Sequence, residues 1–173
     1  MKHFLIGLCC ASLVFLLVSV FLPSGYEVER ELRIAAEPVE LFAAAADLST
    51  WSDWSAWSRE FDPKATWQVD GDPGAGQVLQ WGGPTLGKGR LELLKVEEPE
   101  ELSYRISMPD GSMAATGQLR FHAEGSAVRV TWSQTGDLDG IRMKWVGLFF
   151  DGWIGDQFDL SLRGLRDRVA GGV

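Results

Sequence analysis

The sequence predicts an α+β domain in which an antiparallel sheet has one face covered by a long C-terminal helix, preceded by a single N-terminal transmembrane helix. Three observations predict it. Residues Phe4 to Leu22 carry no charge. From residue 64 to residue 134, six segments alternate apolar and polar side chains between Gly/Pro/Asp-rich turns. From about Ile141 onward, apolar residues recur at helical spacing.

The N-terminal run FLIGLCCASLVFLLVSVFL, about 19 residues of helix, would cover ~28 Å, close to one hydrocarbon core. The alternative is a cleaved signal peptide and a secreted domain, which calls for a shorter apolar run and a small-x-small cleavage site. Here the run is long and ends in Pro23-Ser24-Gly25, with Pro23 wrongly placed for cleavage after Gly25. Cys9 and Cys10 follow Leu8 and Cys9, where a lipoprotein site wants a small residue. The uncleaved anchor is therefore favoured, with the membrane crossed by residues 4–22. Residues 1–25 then form anchor and short linker, and residues 26–173 one folded domain. Lys2 lies on one side of the anchor and Glu27, Glu29 and Glu31 on the other. Positive-inside bias puts the N-terminus in the cytoplasm and the domain on the outer, periplasmic or extracytoplasmic side. Both cysteines sit inside the run. Being adjacent, they form no strain-free disulfide, and no metal-ligand spacing occurs, so neither metal nor cofactor is expected.

Beyond the linker, YEVERELRIAA offers Val28, Leu32 and Ile34 to one face of a strand. PVELFAAAADL places Pro38 near a first turn, with strong helix formers after it. KATWQVD, GQVLQW, GRLELLKV, ELSYRISM, GQLRFHAE and AVRVTWSQ read as strands, divided by DGDPGAG, GGPTLG, EEPEE, PDGS and EGS. WVGLFFDGWIGDQFDLSLRGLRDRV then reads as the covering helix, weakened or kinked in its first part by Gly152 and Gly155. The net charge of −8 and absence of a Lys/Arg patch exclude nucleic acid as a partner.

The stretch WSDWSAWS sets Trp51, Trp54 and Trp57 three residues apart, a slab of indole on a helix or a 3₁₀ turn. It reads first as a core cap, with Trp54 or Trp57 also available to line a cavity mouth. GGPTLGKG falls short of a phosphate-binding loop, because Gly89 stands where Ser or Thr should hold magnesium and the stretch joins two strands. Asp70 and Asp72 in VDGDPGAG lack the further oxygens of a calcium loop. No recognisable catalytic constellation is present. His122 is expected at the surface, leaving Tyr104, Asp151, Asp156 or Asp159 as acid–base candidates.

The order of elements, with Trp51-x-x-Trp54-x-x-Trp57, Asp62-Pro63, Trp81-Gly82, Gly87-x-Gly89, Val130-Thr131-Trp132, Gly136-Asp137, Ile154-Gly155-Asp156-Gln157-Phe158 and Gly164-Leu165, resembles the START-like (SRPBCC) superfamily, in its polyketide cyclase/dehydrase-like branch. The resemblance covers residues 26–170. It departs slightly in the tryptophan cluster, where members often carry Pro after the second tryptophan and this chain has Ala56 before the third. The resemblance implies a helix-grip fold, a curved sheet wrapped around the last helix, with a deep apolar cavity between them. Many members bind lipids, sterols or aromatic polyketides.

Such a cavity would be lined by Leu79 and Trp81, by Tyr104, Ile106 and Met108, and by Trp132 from the strands. Phe149, Phe150, Trp153 and Phe158 would face them from the helix, with Trp54 and Trp57 at the rim. A filled core accounts for the same residues. Eight tryptophans and nine phenylalanines suit walls for a flat or long apolar ligand, and the resemblance favours the cavity. The expected function is therefore membrane-tethered, non-catalytic binding of a hydrophobic small molecule or lipid. The alternatives are a cyclase, dehydratase or hydrolase acting on such a ligand, and a protein-docking module with a filled core.

Overall fold

The computed structural model describes residues 2–109, 111 and 113–171. A single helix, α1 (Lys2–Phe21), precedes the domain. Among the described residues no helix is long and apolar enough to cross a membrane. The expected N-terminal helix is present, but its transmembrane character is not carried by the structure. The side chains of Cys9 and Cys10 lie outside the described part, as does the expected turn at residues 110 and 112.

Seven strands follow the expected order: β1 (Gly25–Ile34), β2 (Thr66–Asp70), β3 (Val78–Gly83), β4 (Gly87–Glu97), β5 (Glu101–Ser107), β6 (Ala114–Glu124) and β7 (Ala127–Asp137). They form one antiparallel sheet in the order β1-β7-β6-β5-β4-β3-β2. Only β1 is out of sequence order. It pairs with β7 from Gly25↔Asp137 to Ile34↔Val128, so the first and last strands meet. In β4 the register slips at Leu94, between the pairs Leu93↔Tyr104 and Lys95↔Ser103, a bulge that bends the strand and helps the sheet curve.

Between β1 and β2 lie α2 (Pro38–Ala46), a 3₁₀ turn at Leu48–Thr50 and the four-residue α3 (Trp51–Trp54). Pro38 opens α2 in its first turn, where its missing N–H costs nothing. After β7 come α4 (Gly140–Gly147) and α5 (Phe150–Ala170). The one long helix expected from Trp145 is thus two, and the break falls at Leu148-Phe149 instead of at Gly152 or Gly155. Gly152 has open space beside it. Gly155 is needed for a different reason: a Cβ there would lie 2.1 Å from the Arg30 guanidinium. That guanidinium pairs with Asp151 at 3.0 Å and Asp159 at 3.7 Å, tying α5 to β1. Asp151 is held below the usual carboxylate range by its hydrogen bond from Arg30.

A repeated device shapes the inner face of the sheet. Tyr26, Trp81 and Tyr104 each stand opposite a glycine on the neighbouring strand, at Gly136, Gly89 and Gly117. Each ring occupies the space that a cross-strand Cβ would need, with approaches of 2.7, 2.1 and 2.1 Å. Gly89, Gly117 and Gly136 are therefore seats for aromatic rings, a cross-strand pairing that helps hold strand register.

Trp132 is the centre of the core. Phe158 from α5 stacks on it at 4.8 Å, and Trp51, Trp54, Trp57 and Tyr104 surround it at centroid distances between 5.6 and 6.4 Å. Three indole N–H groups of this cluster are partnered: Trp51 donates to the Ala45 carbonyl, Trp54 to Thr50 Oγ1 and Trp132 to the Tyr104 hydroxyl. The tryptophan stretch thus caps a filled centre, as its spacing suggests.

Candidate functional site

What remains open lies at one end of this core. A recess of about 370 Å³ runs between the first half of α5 and strands β3, β5 and β7, closed by the loop after α3 and the β3–β4 turn. Its size is at the lower end for small-molecule pockets. The sheet supplies Trp81, Ile106 and Gln134, the loops Ala56, Trp57, Phe61, Thr85, Leu86, Met108 and Met113, and α5 Trp153, Ile154, Asp156, Gln157 and Leu160. The walls are mostly apolar because the even positions of β5 and the odd positions of β3 turn inward. A larger groove beside α2, α3 and the end of α5 is lined by charges of both signs, including Glu40, Asp53, Arg163, Arg166 and Asp167, and has the character of a solvated surface cleft.

Of the residues expected from the sequence to line a cavity, Trp57, Trp81, Ile106, Met108 and Trp153 meet at this recess. The others do not. Tyr104, Trp132 and Phe158 are fully buried in the packed centre, and Leu79 lies in the core. Trp54 is buried too, with its outer edge on the charged groove. Phe150 packs edge-on against Tyr26 at 4.9 Å, and Phe149, at the helix break, is 74% exposed. The physical reason is that four indoles and two other rings suffice to fill the middle of the sheet. Among the described residues, an apolar recess remains beside the first half of α5, next to Trp81, Ile106 and Gln134 of the sheet.

The polar groups of the recess were not legible as ligand contacts, although one carries a signal. Val128, Val130 and Trp132 face inward, and the same alternation brings Gln134 inward after them, a polar side chain at a core position. It is 2% exposed. The Tyr104 hydroxyl donates to Gln134 Oε1 at 3.2 Å, and Gln134 Nε2 donates to the Tyr26 hydroxyl at 2.9 Å. Burial pushes both phenols up, so they are neutral throughout the physiological range. Tyr104 is enclosed by these bonds and does not reach the recess. At the rim, Trp57 Nε1 donates to Gln157 Oε1 at 2.6 Å, bridging the α3 loop and α5. Asp156 is the carboxylate among the described lining residues, whereas Asp151 and Asp159 are engaged by Arg30. Among the described residues no group of three or more His, Cys, Asp or Glu is placed to hold a metal.

The β3–β4 turn that forms one wall is held by Asp62. This buried carboxylate accepts the backbone N–H groups of Thr85 at 2.8 Å, Leu86 at 3.0 Å and Lys64 at 3.3 Å. Burial pushes its pKa up, but these bonds together outweigh burial and hold it below the ordinary aspartate range. The carboxylate therefore stabilises the fold at neutral pH, and that stabilisation is lost as pH falls below about 4. Asp62→Ala should melt below wild type at pH 6, and the gap should narrow at pH 3. A gap independent of pH in thermal melts would show that the charge is not what holds the turn.

Residues 26–170 match the protein family described as polyketide cyclase / dehydrase and lipid transport. No functionally curated protein matches the chain in sequence. Among solved structures, the chain is similar to protein Ms6760 from Mycobacterium smegmatis at 18% identity and a TM-score of 0.60, covering 85% of this chain and 92% of that one. It is similar to truncated norcoclaurine synthase from Thalictrum flavum at 13% identity and a TM-score of 0.63, covering 84% and 93%. The di-domain ARO/CYC protein BexL from the BE-7585A biosynthetic pathway aligns at 15% identity and a TM-score of 0.61, over 83% of this chain and 50% of that one. At these identities the likeness concerns the fold.

Proposed function

The chain belongs to the polyketide cyclase / dehydrase and lipid transport family, and on that premise we propose that its recess binds a hydrophobic small molecule or lipid without transforming it, in a domain tethered to a membrane by α1. The observation that carries the reading is the recess itself: an apolar, partly aromatic cavity beside α5, in a fold whose centre is otherwise filled. Its carboxylate, Asp156, has no hydrogen-bonded partner among the described residues to take or return a proton. This favours carriage over chemistry. The enzymatic alternative, a cyclase, dehydratase or hydrolase, would have to rest on Asp156. The docking-module alternative, which needs a filled core, is disfavoured by the recess.

Tethering is supported by the uncharged run from Phe4 to Leu22 and by how α1 meets the domain. Trp145 of α4 stacks on Phe15 at 4.9 Å and donates its N–H to Ser19 Oγ at 2.8 Å. Beside this contact, Ile141, Val146, Leu148, Phe149 and Trp153 expose apolar side chains. A ridge of this kind is costly in water and suits the headgroup boundary of the bilayer that would hold α1. A retained helix has a place in the folded protein through Trp145, which favours an anchor over a cleaved signal peptide. With the N-terminus cytoplasmic, the domain would lie on the outer side. Trp153 belongs both to the ridge and to the recess, so the mouth would open at the bilayer surface.

The test is isolation of the full chain from the membranes of its own host after an alkaline wash, followed by native mass spectrometry. We expect the chain to stay with the membrane and to carry a reproducible apolar mass. Trp57→Ala should carry less of it and lose about 2 kcal/mol of stability, below the range for a fully buried indole. A clean apo mass after incubation with membrane extract would overturn the binding reading. Release by the wash would overturn the tether.

A further inference from the structure

We infer that Gln134 is the ligand's polar anchor, so that the recess selects apolar molecules bearing one hydroxyl or carbonyl group over plain hydrocarbons. This rests on the binding reading of the same recess and deepens it by naming a ligand chemistry.

The direction of the hydrogen-bond chain behind Gln134 follows from its first member. An indole N–H only donates, so Trp132 makes the Tyr104 oxygen an acceptor, at 2.8 Å. The Tyr104 proton is then available to Gln134 Oε1, and the amide nitrogen is turned toward the Tyr26 oxygen. The amide is thereby fixed in orientation from behind by three aromatic side chains. A primary amide offers two N–H donors and two acceptor lone pairs. Among the described residues, one donor and one acceptor are used, and the side chain lines the recess. Its remaining donor and acceptor are therefore available to a molecule in the recess. The other polar lining groups, Thr85, Asp156 and Gln157, come from the β3–β4 turn and α5, and the Gln157 oxygen already accepts from Trp57. Gln134 is the buried polar group that the sheet itself contributes.

A recess with no polar anchor would prefer a hydrocarbon to its hydroxyl derivative, because the hydroxyl would lose its water without replacement. An anchored recess reverses that order. The probes are naphthalene and 2-naphthol, which differ by one hydroxyl and present a flat ring to Trp57, Trp81 and Trp153. Binding is measured by equilibrium dialysis of the full chain in lipid nanodiscs, with empty nanodiscs as the reference for partitioning into lipid. We expect wild type to hold 2-naphthol about ten-fold more tightly than naphthalene. Gln134→Met, which keeps the length of the side chain, should lose about ten-fold for 2-naphthol and change naphthalene by less than about two-fold. Equal affinities in wild type, or a preference for naphthalene, would overturn the anchor while leaving the binding reading standing. Uptake of neither probe would count against both. Because the wild-type comparison decides by itself, the inference stays testable even if Gln134→Met fails to fold.

Discussion

Trp132→Ala is expected to cost about 4–5 kcal/mol, the upper range for removing a buried aromatic side chain. The residue is fully buried, Phe158 lies flat against it at 4.8 Å, and the three indoles of the tryptophan stretch converge on it from the other side. Trp51 and Trp54 cannot collapse into the void without leaving their own hydrogen bonds, since their N–H groups pin them. The substitution also removes the donor to Tyr104, the first link of the chain that orients Gln134. For a domain whose total stability is of order 5–15 kcal/mol, such a loss should lower the thermal midpoint by on the order of 10–15 °C. It should also flatten the near-ultraviolet circular dichroism. Trp132→Phe keeps a ring and should lose roughly 2 kcal/mol. A Trp132→Ala protein melting within a few degrees of wild type would show that this cluster is not the centre of the core.

The second large effect is expected at Gly164. In α5 this residue lies against the backbone of α3, and a Cβ would sit 2.0 Å from the Trp54 carbonyl oxygen and 3.0 Å from its carbon. Backbone yields less readily than a side-chain tip, so α5 or the tryptophan stretch must move as a body. That motion would break the bond from the Ala56 N–H to Ser161 Oγ at 2.8 Å, which joins the same two segments. Gly164→Ala should therefore cost at least about 3 kcal/mol despite the better helix propensity of alanine. Gly152→Ala is the control on the same helix. It has no heavy atom within 4 Å of its Cβ, so it should be neutral or stabilise by up to about 1 kcal/mol. If the two variants melt alike, the close approach of α5 to α3 is not a stability determinant.

Much of this fold was legible in the chain. Each strand shows its period of two, and the Gly/Pro/Asp clusters between them mark the turns. The inward face of β7 could be read through Val128, Val130 and Trp132. The helix break at Leu148-Phe149 could not, because nothing in those residues forbids a helix. Space beside Gly147 is taken by Leu138, whose Cδ1 would lie 2.4 Å from a Cβ there, a contact between segments that sequence does not announce. The candidate site was legible in part for the same reason. Trp57, Trp81, Ile106, Met108 and Trp153 were recognisable as large apolar groups on inward faces, and so were Tyr104, Trp132 and Phe158. Which of them touch a void depends on how the others fill the space.

Local chemistry along the chain was enough to determine the strand positions, the inward register of the strands and the indole cap, because alternation and spacing are properties of neighbouring residues. Tertiary structure alone decided the rest. It set Gly89, Gly117 and Gly136 beneath aromatic rings of adjacent strands, packed the centre around Trp132, and left an apolar recess beside the first half of α5 with Gln134 in its wall. The reason is that volume left unfilled is a difference between large sums over all packed side chains, and no single segment carries it.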